Sequence, residues 1–132
     1  MIVYLDTSAA FKLLATEPES DALAEALTAL DAADVLLSSR LLFTELHCAA
    51  QRRSVWDVAE VNAVLDMVSL VDLTREDLNR AATSGWGLRS EDALHLATAL
   101  RLEADVIGAY DQELCSAAES AGLHVLRPGT SA

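Results

Sequence analysis

Five short aliphatic runs alternate along the chain with longer stretches of helical pattern, and this alternation constrains the fold more than any other feature. The runs are Ile2 to Leu5, Val35 to Ser38, Val68 to Val71, Val106 to Ala109 and His124 to Leu126. Helical patterns occupy Ala9 to Ala15, Glu19 to Leu30, Leu41 to Arg52, Val55 to Asp66, Arg75 to Ser84, Glu91 to Glu103 and Gln112 to Ala121. Strands that alternate with helices imply a mostly parallel sheet covered by helices on both faces. The unbroken apolar character of IVYL and VIGAY suits strands buried on both sides.

Local signals agree with this division. Thr16 or Pro18 before Glu19 suits a helix start, and Gly122 suits a helix end that precedes a last strand. Ser90 is placed to cap a helix whose first turn carries Glu91 and Asp92, and Gly85 and Gly87 bracket Trp86 in a loop before it. A chain of 132 residues, 52% hydrophobic, with two prolines and five glycines, fits one packed domain spanning residues 1–132.

No apolar run approaches the roughly 20 residues needed to span a membrane, and IVYL is too short for a secretory signal, so a cytoplasmic protein is expected. Cys48 and Cys115 lie in apolar helical surroundings without paired spacing, which predicts free, buried thiols. Nine basic and twenty-one acidic residues leave a net charge of −12. Binding of polyanions through a broad basic face is therefore excluded, and any nucleic-acid role must work through a local site where cations reverse the field.

Four acids stand out. Asp6 directly follows IVYL and Asp111 directly follows VIGAY, at strand ends where open parallel sheets collect ligands. Asp92 opens DALHLATAL, and Glu45 lies in LLFTELHCAA with Leu41 and Ala49 at the positions where a helical partner would stand. Asp6 and Asp111 are equally suited to cap helices, and Asp92 to favour a helix dipole, so each has an ordinary structural reading. Glu45 is harder to account for, because an unpaired buried carboxylate costs several kcal/mol. If the four converge, hard cations held by oxygen ligands, Mg²⁺ or Mn²⁺, are the natural neutralisers.

The ordered set YLDTSA, TELHCAA, LRSEDALHLATAL and IGAYDQEL resembles the motifs of PIN-domain ribonucleases, and the compact length resembles the VapC toxins of bacterial toxin–antitoxin modules. The resemblance runs from residue 1 to about residue 126. It implies a three-layer α/β/α sandwich and Mg²⁺-dependent hydrolysis of RNA phosphodiesters, with Asp6, Glu45, Asp92 and Asp111 as the catalytic and metal-binding quartet. Thr7 and Ser8 match the hydroxyl-bearing positions that support the first acid. It further implies a VapB-type antitoxin as partner and a homodimer. One departure is Ala109, where the family often carries a hydroxyl two positions before the last acid, which leaves the orientation of Asp111 without its usual support.

Lys12, Arg40, Arg52, Arg53 and Arg89 are the basic residues nearest these motifs and could position RNA, although such residues are mostly solvated surface charges. His95, three residues after Asp92, fits a hydrogen-bonded structural histidine better than a zinc ligand. His47 and His124 have no constellation. Trp56 and Trp86 suit either a partner surface or a core edge.

Two rival classes bear on the function. A PIN-like binding module that acts through protein partners without cutting RNA draws its support from Ala109. A phosphatase would place an aspartate where Ser8 stands, and a phospho-receiver would need a late lysine where the chain has Lys12 alone.

Overall fold

The computed structural model describes residues 1–54 and 57–130; the expected helix start at Val55 and the partner-surface candidate Trp56 lie outside the described residues. The elements in chain order are β1 (Ile2–Leu5), α1 (Thr7–Lys12), α2 (Ser20–Thr28), β2 (Val35–Ser39), α3 (Arg40–Arg53), α4 (Val58–Leu65) and β3 (Ser69–Val71). They continue with α5 (Arg75–Thr83), α6 (Ser90–Arg101), β4 (Val106–Gly108), α7 (Gln112–Ser120) and β5 (His124–Leu126). The five strands form one sheet in the order β3-β2-β1-β4-β5, and every pairing is parallel.

Strand alternation sends neighbouring side chains to opposite faces, and so builds two cores from one strand. Leu5 joins the helices of the first half: Ala9 and Ala10, Leu23 and Leu27, Leu42 and Leu46, Val61 and Val64. Tyr4 joins Leu37, Ile107, Leu96, Leu114, Cys115 and Ala118 on the other face. The result is the expected three-layer α/β/α sandwich with β1 at its centre.

Helix α5 departs from simple apolar burial. Its buried residue is Asp77, 2% exposed, which closes a capping box with Thr74. Arg101 at the end of α6 clasps it, with Nε 2.8 Å from Oδ1 and Nη2 3.0 Å from Oδ2. Burial pushes the Asp77 carboxyl up, but the Arg101 guanidinium and the Thr74 amide overcome this and hold it below its usual range.

Boundaries shift by one to three residues. Helix α1 starts at Thr7 rather than Ala9 because Asp6 itself caps it, accepting the Ser8 amide. Ser90 is the first residue of α6 and not its cap; Arg89 holds that position without a side-chain cap bond. Gly122 ends α7 at φ +96, a conformation that suits glycine, and turns the chain into β5. Cys115 is buried and free as expected, but Cys48 is exposed, because α3 buries the Leu42, Leu46, Ala50 stripe and Cys48 falls off it. Trp86 is half-buried and packs against the second core. Among the described residues no helix is long and apolar enough to cross a membrane.

Candidate active site

Leu5 pairs with Gly108, so the carboxyl ends of β1 and β4 lie side by side. The strand order reverses here: the chain builds outward from β1 through β2 to β3, then crosses back to set β4 on the other flank. Segments leaving the two strand ends diverge onto opposite faces and open a crevice. Asp6 and Asp111 stand at its two lips.

Asp6 is 2% exposed. Its Oδ2 accepts the Ser8 amide at 3.1 Å and the Ser8 hydroxyl at 2.7 Å, which leaves Oδ1 turned toward His95 Nε2 at 3.9 Å. Capping a helix and facing the crevice are thus compatible, since separate oxygens do each. Asp111 is arranged likewise: Oδ1 caps α7 through the Leu114 amide at 3.0 Å, and Oδ2 lies 3.5 Å from Arg89 Nη2.

Asp92, 8% exposed, rises from the first turn of α6. The same Arg89 nitrogen is 3.5 Å from its Oδ2, so one guanidinium spans two carboxylates. Burial, then the negative charges of Asp6 and Asp111, push the Asp92 carboxyl up to about 6 despite Arg89. These three acids therefore act on one another.

Glu45 is the acid that lacks a partner on its own helix, and its partners come from two other elements. Its Oε1 accepts the Thr7 hydroxyl at 2.9 Å and His95 Nε2 at 2.6 Å. His95 is fully buried, and its Nδ1 shares a 2.7 Å hydrogen bond with the Tyr4 hydroxyl, the two rings meeting edge to face. Burial opposes a charge on this imidazole, yet the Glu45 hydrogen bond and the nearby Asp6 raise its pKa above the ordinary histidine value. Burial also raises the Tyr4 pKa, so its hydroxyl stays neutral.

Of the basic candidates, Arg89 reaches the carboxylates. Lys12 instead pairs with Glu19 at 3.1 Å and Glu17 at 3.7 Å while lying 4.7 Å over the Tyr110 ring. Arg40 stacks 4.3 Å from Phe43 and Arg53 4.3 Å from Phe11, while Arg52 sits in the last turn of α3. His47, which the sequence leaves without partners, bonds Asn62 at 3.1 Å.

Asp111 does not lack support. Ala109 brings no hydroxyl, but the Ser8 hydroxyl accepts the Tyr110 amide at 3.0 Å and braces the Asp111 segment from the other strand end. Sequence reasoning passed over Tyr4 and the pairing of His95 with Glu45. The available signal was periodicity: Tyr4 lies two residues before Asp6 on one strand face, and His95 three after Asp92 on one helix face.

Asp6, Asp92 and Asp111 offer hard carboxylate oxygens, with Asp92 lifted by burial and then by its acidic neighbours, a donor set suited in kind to Mg²⁺ or Mn²⁺. Among the described residues no three His, Cys, Asp or Glu side chains already converge into a finished cage.

Residues 3–120 match the PIN domain family. The Ribonuclease VapC46 of Mycobacterium tuberculosis is 35% identical over 134 residues, covering 96% of this chain and 97% of that protein. Among solved structures, Mycobacterium tuberculosis VapC20, described as a sarcin–ricin loop cleaving toxin, superposes with a TM-score of 0.75 at 16% identity, covering 96% of this chain and 99% of that one. VapBC2 from Rickettsia felis, solved with a DNA fragment from their promoter, gives 0.72 at 14% identity, covering 97% and 99%. Strand-end acids at the reversal of a parallel sheet and a match over nearly the whole chain lead to one assignment: the chain belongs to the PIN-domain family, in the company of the VapC ribonucleases.

Proposed function

We propose that this protein is a Mg²⁺-dependent endoribonuclease and the toxin of a VapBC-type toxin–antitoxin pair. The observation that carries the reading is the meeting of Asp6, Asp92 and Asp111 in one crevice, where burial and then the charges of Asp6 and Asp111 raise the pKa of Asp92. Acids brought together at such a cost are explained by a cation that neutralises them. Glu45 completes the acidic surround from α3. When bound, Mg²⁺, or Mn²⁺ in its place, supplies positive charge to the scissile phosphate and a more acidic water.

The chain's own groups set the rest. Ser8 fixes Asp6 and, through the Tyr110 amide, the Asp111 segment. Thr7 fixes Glu45. Arg89 is the exposed cation at the rim, placed to exchange its carboxylates for an RNA phosphate once they are neutralised. Lys12 and Arg40 have weaker claims to that role, given the partners they already hold.

The likeness to VapBC2 from Rickettsia felis supports a VapB-type antitoxin as partner. A homodimer and a cytoplasmic site of action complete the proposal. The reading of a non-cutting binding module draws on Ala109; the bond from the Tyr110 amide to Ser8, which holds the backbone beside Asp111, supports the nuclease reading instead.

The test is cleavage of labelled RNA by the purified protein with Mg²⁺, Mn²⁺ or EDTA, beside Asp6→Asn and Asp92→Asn. Cleavage with either metal, lost with EDTA and reduced at least 100-fold in both variants, is expected. Metal-independent cutting, or full activity in both variants, would refute the proposal.

A further inference from the structure

One imidazole joins β1, α1, α3 and α6 at the floor of the crevice. Three oxygens face His95 Nε2: Glu45 Oε1 at 2.6 Å, Thr7 Oγ1 at 3.0 Å and Asp6 Oδ1 at 3.9 Å. At the far end of the ring, Nδ1 shares its 2.7 Å bond with the Tyr4 hydroxyl, and both side chains are fully buried. A flip of the ring would put carbon where each bonded nitrogen stands and lose both bonds. The imidazole is therefore fixed in direction as well as in place.

The acids of the crevice divide their oxygens in the same manner. Asp6 gives Oδ2 to Ser8 and keeps Oδ1, and Asp111 gives Oδ1 to the Leu114 amide and turns Oδ2 to the crevice. Glu45 gives Oε1 to Thr7 and His95; among the described residues its Oε2 accepts no hydrogen bond from the protein, and the side chain is 21% exposed. What differs is the anchor. The two aspartates are held by backbone amides at helix starts, whereas Glu45 stands in the middle of α3, where the amides are already bonded within the helix. Its longer side chain must be oriented by other side chains, or it loses rotamer freedom each time a cation binds. Thr7 offers a hydroxyl that rotates about its own bond; His95 offers a planar donor locked by Tyr4.

We propose that His95, backed by Tyr4, is a positioning residue: it takes Oε1 of Glu45 and so presents Oε2 to the cation that Asp6 and Asp92 hold. The imidazole acts through Glu45 and does not itself touch the cation. This proposal rests on the nuclease reading above.

The test is Mn²⁺ calorimetry on the full chain. Glu45→Gln and His95→Leu are each expected to weaken Mn²⁺ binding by about tenfold or more, and His95→Gln, whose amide N–H can stand in for Nε2–H, to stay within about threefold of wild type. The double variant of His95→Leu with Glu45→Gln should bind no more weakly than Glu45→Gln alone, because one residue works through the other. Losses that multiply in the double variant, or wild-type affinity in Glu45→Gln or His95→Leu, overturn the role given to His95 while leaving the nuclease standing. Proton NMR of the wild type decides the matter even if His95→Leu does not fold. Its downfield Nε2–H resonance should persist and shift as Mg²⁺ saturates, since Oε1 stays bonded while Oε2 takes the cation; a resonance that is lost, or that does not move, overturns the role. A wild-type protein that neither binds Mn²⁺ nor cleaves RNA overturns the nuclease reading as well.

Discussion

The hydroxyl of Ser8 accepts the Tyr110 amide at 3.0 Å while donating to Asp6 at 2.7 Å, so a single oxygen ties the end of β1 to the end of β4. Ser8→Ala removes both bonds and leaves the Tyr110 amide without its partner. Activity is expected to fall about 10- to 100-fold, as for other groups that orient metal ligands, with a stability loss of about 1–2 kcal/mol. RNA cleavage rates and urea unfolding of the variant measure the two effects.

Asp92 gives a sign that runs against intuition. Its folded pKa of about 6 lies above the ordinary 3.8, so the folded state binds this proton more tightly than the unfolded chain. Protonation of Asp92 thus favours folding, and its unfavourable contribution grows as pH rises from about 4 to above 6. The group is partly solvated, and screening reduces the effect to about 1 kcal/mol. Asp92→Asn should therefore raise the Tm of the metal-free protein by about 4 °C at pH 7.5, with no gain at pH 4, while abolishing cleavage. Calorimetric melts at the two pH values with EDTA decide this.

Arg101 and Asp77 make the opposite case. Arg101→Met leaves a buried carboxylate facing an apolar side chain, for which a cost of about 3 kcal/mol is expected. Asp77 is held below its ordinary pKa, so its stabilising contribution is present at neutral pH and is lost as pH falls through the acid range. Wild type should accordingly lose its advantage over Arg101→Met on acidification. Urea midpoints at pH 7 and pH 3.5 test the point, and Mn²⁺ affinity below the unfolding transition should not change.

Arg89 carries the prediction about RNA. If its guanidinium moves onto a phosphate, Arg89→Ala should flatten the dependence of log K on log salt by about 0.7, the value of one single-strand contact. Lys12→Met, which removes a cation already paired with Glu19, should leave that slope unchanged. Binding of a non-cleavable RNA to the Asp92→Asn background, measured between low and moderate salt, separates the two.

The layer order and the strand-end acids could be read in the sequence because both follow from local periodicity. IVYL and VIGAY declare buried parallel strands, and an acid behind each lands at the crevice once the strands are neighbours. The pairing of Glu45 could not be read there, since its partners Thr7 and His95 lie 38 and 50 residues away and meet it where α1 packs on α3 and α6 packs across β2. Asp77 was hidden for the same reason: only the placement of α5 against α6 brings Arg101 to it. Nor could the sequence show, beside Ala109, that the Ser8 hydroxyl from the other strand end takes the Tyr110 amide next to Asp111. Cys48 misled because apolar neighbours in sequence do not fix which helix face turns inward.

The position of β1 between β2 and β4 has a consequence for the birth of the protein. Ser8 and Tyr110 are separated by 102 residues, so the two lips of the crevice leave the ribosome at opposite ends of synthesis. At about 5–20 residues per second, several seconds pass between them. While β1, β2 and β3 emerge with their helices, only one lip of the crevice exists; the acids of the second are placed once β4 has paired with β1.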